Sequence, residues 1–435
     1  MVRAAVVAGF VLALAASCQA QEHQHGNSEK LGTVHFATSC NEVAQKEFNR
    51  AAALLHSFQF SRAIEGFNAV LGEDATCGIA YWGTALSDWS NPFAPGMKDK
   101  SQLQAGRESA ERGKTVGAKT ERERAYLGAV GKLYSDYEGT PQRARLIAYR
   151  DAMREVAAKY PEDHEAQIFY ALAIAASEDP ADKTYAGRLK AGAILEKLFE
   201  QEPAHPGLAH YIIHTYDVAA LAGRALVAAR RYSEIAPDAP HALHMPSHTF
   251  TRTGYWQDSI DSNIAAAAAA RREGQTAEEL HASDYEIYAY LQTGQDDAAR
   301  RIVDSLPEIA SRFDPKAVIS GAGSPSTGYF ALAAIPARYA LERREWKQAA
   351  QLTQLETPFP HTEAMTWFAR GLGAGQLGQA QAARESVAAL KQIRERLFKV
   401  GENYWAQQVE IQELEVGAWA ALAEGKKEEA LRQMK

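Results

Sequence analysis

Three stretches near the middle of the chain align with one another. Residues 206–239 read PGLAHYIIHTYDVAALAGRALVAARRYSEIAPDA, residues 240–273 read PHALHMPSHTFTRTGYWQDSIDSNIAAAAAARRE, and residues 280–295 read LHASDYEIYAYLQTGQ. Aromatic residues recur at the eleventh position, glycines at the fifteenth and small residues at the twentieth: Tyr216, Phe250, Tyr290, Gly254, Gly294, Ala225, Ser259 and Ala299. Each stretch predicts an apolar helix, a short break and a second helix. A period of this length indicates a protein built from helical hairpins.

These positions resemble the tetratricopeptide (TPR) repeat, with Pro237 closing the first unit. The resemblance implies an all-α fold, a right-handed solenoid of antiparallel helical hairpins. It extends from about Ala44 to the C-terminus and is weakest over residues 101–160. We therefore expect N-terminal TPR-like units over 40–100, an irregular helical segment over 101–160, and a TPR-like solenoid over 161–435.

The N-terminus carries the pattern of a bacterial-type export signal over residues 1–20. Arg3 precedes a run of 13 apolar residues from Ala4 to Ala16, which is too short to span a bilayer. Cleavage after Ala20 would release a soluble protein, whereas processing before Cys18 would leave a lipid-anchored one. We expect a periplasmic or extracellular protein with a flexible leader over 21–39 and no transmembrane segment.

The remaining two cysteines, Cys40 and Cys77, would then face an oxidising compartment. Each precedes the first helix of a unit, and the first helices of successive units lie side by side in a TPR-like stack. We therefore predict a disulfide between them. Two unrelated buried thiols are the alternative.

The net charge and the hydrophobic content of the chain limit the kinds of partner that it is expected to bind. The 435 residues carry a formal net charge of -7 and are 46% hydrophobic, which is typical of a soluble globular protein. This charge gives no electrostatic basis for nucleic-acid binding. We expect a protein or peptide partner and no nucleic acid.

Histidines provide the main functional signal. His210 and His214 are four residues apart, as are His244 and His248, and one 34-residue repeat separates the two pairs. Residues four apart share one face of a helix. These are the fifth and ninth repeat positions, which in TPR proteins face the concave groove. The four side chains are predicted to form a square that binds one transition metal: zinc, copper, nickel or iron.

The same register adds further groove residues. Asp284 takes the fifth position of the third unit and is predicted to join the metal ligands. Other residues expected in the groove are His241, Arg252, His281 and Tyr288. We interpret His164 and His205 as structural residues, and His23 and His25 as part of the leader.

The sequence contains no G-x-S-x-G, G-x-x-x-x-G-K-[ST], H-E-x-x-H or C-x-x-C motif. It therefore favours an exported binding scaffold with a histidine-lined groove over an enzyme. A metal-dependent enzyme that uses the histidine cluster is the alternative. A peptide-binding groove without metal is a third interpretation.

Pro246 lies between His244 and His248. It either kinks the helix, so that both histidines face the groove, or marks the start of a new helix.

Overall fold

The computed structural model describes residues 29–94, 96–316 and 321–435, and these ranges contain helices and no strand. The predicted signal peptide, the leader over 21–28 and Cys18 lie outside these ranges. The α-helices are, in chain order, α1 Glu42–His56, α2 Phe60–Glu73, α3 Ala80–Trp89, α4 Lys100–Val116, α5 Glu121–Val130, α6 Gln142–Lys159, α7 His164–Ser177, α8 Ala186–Gln201, α9 Pro206–Thr215, α10 Leu226–Ile235, α11 Pro240–His244, α12 Pro246–Thr253, α13 Trp256–Arg272, α14 Thr276–Gln292, α15 Asp296–Ser311, α16 Pro325–Glu342, α17 Trp346–Ala350, α18 Pro360–Gln376, α19 Ala380–Lys399, α20 Asn403–Ala423 and α21 Lys427–Gln433.

Neighbouring helices pack in pairs, for example α1 with α2, α9 with α10 and α18 with α19. The first helices of successive hairpins also contact each other, as α14 does with α16 and α16 with α18. Each hairpin thus buries its apolar face against the next one. The prediction of an all-α solenoid of antiparallel helical hairpins is confirmed.

The recurring glycines and small residues have separate physical roles. Gly254 and Gly294 end first helices with φ of 79° and 68°, a left-handed conformation that favours glycine. Ala225, Ser259 and Ala299 are fully buried at the start of the second helices, where a larger side chain would separate the pair.

The predicted flexible leader is wrong from residue 29 onward. Residues 29–39 form an extended segment that packs along the solenoid, and Leu31, Val34 and Phe36 are buried. The Phe36 ring lies 4.9 Å from that of Trp82, and the Thr33 amide donates to the carbonyl of Ala204. These apolar side chains gain more by burial than the extended backbone loses in conformational freedom.

The disulfide between Cys40 and Cys77 is present, with 5.1 Å between the two Cα atoms. Cys40 precedes α1 and Cys77 precedes α3, so the bridge joins the starts of two first helices, as predicted. In the described ranges, no helix is both long and apolar enough to cross a membrane.

The solenoid curves until its two ends meet. The backbone amide of Met97, in the loop after α3, donates to Oε1 of Glu402 at the start of α20 (2.9 Å). This contact encloses a cleft of about 920 Å³, and the first helices α12, α14 and α16 contribute to its wall. Of the histidines predicted in the groove, His248 and His281 line this cleft, whereas His210, His214, His241 and His244 are buried behind it.

Candidate metal centre

Six histidines lie on neighbouring first helices. His210 and His214 are on α9, His241 and His244 on α11, His248 on α12, and His281 on α14. Pro246 separates α11 from α12, so the helix restarts there. Met245 nevertheless keeps helical dihedral angles, and His244 and His248 remain on one face.

The histidines form two groups of three instead of one square. We call His244, His248 and His281 the open triad, and His210, His214 and His241 the buried triad. Within each triad one potential ligand atom per residue lies within 4.8 Å of the others. The second-position histidine of each following unit projects toward the preceding i, i+4 pair. The structure therefore divides the predicted four-histidine site between two triads.

The open triad brings two imidazole nitrogens face to face. Nε2 of His244 lies 3.0 Å from Nε2 of His248. On the far side of the rings, Nδ1 of His244 donates to Oδ1 of Asn263 (2.7 Å), and Nδ1 of His248 donates to Oδ2 of Asp217 (2.9 Å). The Asn263 amide is itself oriented, because its Nδ2 donates to the Ser259 carbonyl.

This hydrogen-bond pattern assigns the tautomers of both rings. Carboxylate and carbonyl oxygens only accept, so each Nδ1 carries a proton, and in a neutral ring the Nε2 carries a lone pair. At 3.0 Å, two such lone pairs repel each other unless a proton or a metal ion lies between them. A carboxylate that holds the outer nitrogen of a ligand histidine is the usual support for a metal site.

His281 completes the open triad from the next first helix. Its ring centroid lies 4.5 Å from that of His244. Burial lowers the pKa of His281 to about 4 and that of His244 well below its ordinary value. Both imidazoles are therefore neutral at pH 7, the form that binds metals. The ring of Tyr285 stacks against His248, with 4.8 Å between centroids.

The open triad lies at the edge of the cleft. The half-buried His248 and His281 line the wall of the cleft, whereas His244 does not. Aromatic residues also line the cleft: Tyr285, Tyr288, Phe330, Phe359 and Trp405. An ion held by the triad would keep one coordination position toward this space.

The predicted ligand Asp284 is engaged elsewhere. Its Oδ1 accepts from Nε of Arg338 at 2.8 Å, so the carboxylate forms an ion pair and does not join either triad. Sequence register could not foresee this partner, because α16 supplies it from a distant part of the chain.

Of the other predicted groove residues, Arg252, His281 and Tyr288 line the cleft, whereas His241 is buried and does not. Arg252 pairs with Asp217, and Tyr288 lies under the guanidinium of Arg338. Burial acts to raise the pKa of Asp217, but His248 and Arg252 lower it overall, so the carboxylate stays ionised. Arg252 thus helps hold the carboxylate that orients His248.

A third cluster was missed by sequence reasoning. Glu165 accepts from Nε2 of His56 (3.0 Å) and from Nε2 of His205 (3.1 Å), and all three side chains are buried. Nδ1 of His56 also lies 3.1 Å from the Tyr211 hydroxyl. Here the carboxylate already satisfies the nitrogens that face it, which is consistent with the structural role predicted for His205. The predicted structural residue His164 contacts Glu202.

Comparison with known proteins bears on the fold alone. No protein-family model and no curated protein matches the chain. The crystal structure of the APC/C hetero-tetramer Cut9-Hcn1 is similar with a TM-score of 0.36 and 12% identity, covering 89% of this chain and 76% of that one. The human IFIT1 dimer with m7Gppp-AAAA has a TM-score of 0.29 and 13% identity, covering 91% and 94%. The P58(IPK) TPR domain has a TM-score of 0.23 and 13% identity, covering 90% and 91%.

These values carry no conclusion about activity. The prediction that no nucleic acid binds is not supported by these comparisons.

Proposed function

We propose that this protein is an exported TPR-like binding scaffold that holds a transition metal at the open triad. The observation that carries the proposal is the 3.0 Å approach of two Nε2 atoms whose Nδ1 atoms both donate to oxygen acceptors. A metal ion at this point would accept the lone pairs of both neutral rings.

The donor set limits the choice of metal. Three neutral imidazoles suit zinc, copper, nickel or iron and bind magnesium or calcium poorly. Zinc bound by three histidines usually keeps a fourth position for water or a ligand. In this chain that position would face the cleft.

A protein or peptide partner would bind in the cleft, which corresponds to the predicted groove. Aromatic side chains such as Phe330, Phe359 and Trp405 offer apolar contact area opposite the open triad. A partner group with a lone pair, such as a carboxylate or an imidazole, would bind the open metal position. We propose no nucleic-acid partner, because the chain carries a net charge of -7.

The second candidate is a metal-dependent enzyme. It is favoured by the open coordination position in a cleft of about 920 Å³, where a metal would activate water. Arg252 would then orient a substrate at the rim. The binding scaffold remains the first proposal, because two arginines that line the cleft, Arg252 and Arg338, are already paired with Asp217 and Asp284.

Export is part of the proposal. The disulfide between Cys40 and Cys77 supports a periplasmic or extracellular location, because such bridges persist in oxidising compartments. Lipid attachment at Cys18 or cleavage after Ala20 would decide whether the protein is anchored or free. Mass analysis of the mature N-terminus distinguishes these routes.

Competition against a chelator of known affinity tests metal binding at the open triad. The metal-stripped mature protein is titrated separately with Zn²⁺, Cu²⁺, Ni²⁺ and Fe²⁺. We expect tight uptake of at least one ion and a large loss of affinity in His248→Gln. His361→Gln is the matched control, because His361 also lines the cleft but lies outside both triads. Equal losses in both variants, or no uptake, would refute the proposal.

A further inference from the structure

We infer that the buried triad is a second metal site, distinct from the open triad and filled through it. The inference begins with nitrogens that have no hydrogen-bond partner among the described residues. These are Nε2 of His210, His214 and His241, in side chains that are 0%, 7% and 2% exposed. A buried polar atom without a partner is costly, so three in one cluster require an explanation.

The orientation of two of these rings points their lone pairs inward. Nδ1 of His210 donates to the backbone carbonyl of His56 at 2.6 Å, which leaves the lone pair on Nε2. Nδ1 of His241 faces Oε1 of Glu278 at 3.5 Å, a charge contact longer than a hydrogen bond. The proton of His241 is therefore favoured on Nδ1, which again leaves Nε2 as the donor to an ion.

The aromatic rings around the buried triad offer these nitrogens no hydrogen-bond partner. The Phe58 ring lies 4.3 Å from His210 and 5.6 Å from both His214 and His241. Phe93 stacks on His214 with 4.3 Å between centroids. Each ring of the buried triad offers an unpartnered nitrogen, and one ligand atom of each ring lies within 4.8 Å of the others. One metal ion accepts all three.

A buried cation also needs a compensating charge nearby. Glu278 is 2% exposed and supplies it beside His241. The Gly323 amide donates to Oε1 of Glu278 at 2.9 Å and holds it in place. This contrasts with Glu165 in the third cluster, which accepts hydrogen bonds from both of its histidines directly.

No residue of the buried triad lines the cleft. Of the six histidines only His248 and His281 line it. The rings of His214 and His248 are 6.1 Å apart, and those of His241 and His244 are 5.9 Å apart. An ion that enters from the cleft therefore meets the open triad first. This step rests on the proposed metal binding there, whereas the second site itself does not.

Native mass spectrometry of the full mature protein, stripped of metal and reloaded with Zn²⁺, tests the inference. We expect two Zn²⁺ per chain in the parent protein and in His361→Gln, and one in His241→Gln. His281→Gln should fill the buried triad at least tenfold more slowly, which is measured by the time course of the second ion. Unchanged filling would refute the route.

Glu278→Gln serves as a variant that keeps every ligand, and it should weaken only the second ion by about 10- to 100-fold. The far-ultraviolet circular dichroism spectrum checks that each variant is folded. One Zn²⁺ in the parent, lost in His248→Gln but retained in His241→Gln, would refute the second site and leave the proposed function intact. One Zn²⁺ lost equally in His214→Gln and His248→Gln would mean a single shared ion. No bound Zn²⁺ in the parent would refute both proposals.

Discussion

Nδ1 of His248 donates to Oδ2 of Asp217 at 2.9 Å, and Arg252 holds the other oxygen of the same carboxylate. This relationship fixes the ring plane of His248 and directs its Nε2 toward His244. Asp217 lies in the turn after α9, so one hairpin supplies the group that orients a ligand on the next.

Asp217→Asn should weaken metal binding at the open triad by about 10- to 100-fold without removing a ligand. The amide removes the charge that stabilises the Nδ1–H tautomer of His248. Asp284→Asn is the matched control, because Asp284 pairs with Arg338 and contacts neither triad. The chelator competition measures both. A larger loss in Asp284→Asn would return that residue to the ligand set and contradict the assignment.

Loss of the disulfide should destabilise the fold. Replacing Cys40 and Cys77 together by serine reopens a loop with a sequence separation of 37 residues. The chain-entropy model gives a loss of about 4 kcal/mol in the free energy of unfolding. Urea denaturation of the oxidised parent and the double variant measures it. Identical midpoints would mean that the bridge constrains little of the unfolded chain.

Two helical glycines should respond oppositely to alanine. Gly106 on α4 is buried, and a Cβ there would clash with the ring of Tyr134, so Gly106→Ala should cost about 1–3 kcal/mol. Gly128 on α5 is exposed with no atom near a new Cβ, so Gly128→Ala should stabilise by about 0.5–1 kcal/mol. The denaturation midpoints of both variants, compared with that of the parent protein, measure the two changes in stability. The same sign for both would mean that α4 does not pack closely against this tyrosine.

Acid should destabilise the protein through His361. Its ring stacks on Trp405 at 4.1 Å, and burial lowers its pKa to about 4. The unfolded chain binds a proton near pH ~6.5 and the folded chain does not, so stability falls as pH drops through this window. At pH ~4, His361 has lowered the free energy of unfolding by about 3 kcal/mol relative to neutral pH.

His361→Gln should therefore flatten the fall in unfolding free energy between pH ~6.5 and pH ~4, measured in metal-free protein. An unchanged pH dependence would show that His361 titrates normally in the folded state.

Most of the fold was predictable, because the residue type at each repeat position indicates how that position packs. Gly254 and Gly294 mark left-handed helix ends, and the buried Ala225, Ser259 and Ala299 mark close helix contacts. The packed segment from Leu31 to Phe36 was not predictable, since three apolar residues in a polar stretch do not show which groove they fill.

The histidine positions were also predictable, but their grouping was not. The 34-residue spacing placed His210 near His244, whereas the contacts that define each triad come from His241 and His281 on the next units. Asp217, Asn263 and Glu278 orient the rings from turns and other helices, and no periodic pattern marks them. Asp284 was assigned by register to the metal and is instead paired with Arg338.

Anomalous X-ray diffraction from crystals of the Zn²⁺-loaded protein tests the central claim most directly. Recorded at the zinc edge, it should give a peak about 2.0–2.1 Å from Nε2 of His244 and of His248, with His281 as the third ligand. Fully loaded protein without a peak between these nitrogens, or with zinc only at exposed histidines, would contradict the claim that the open triad is a metal site.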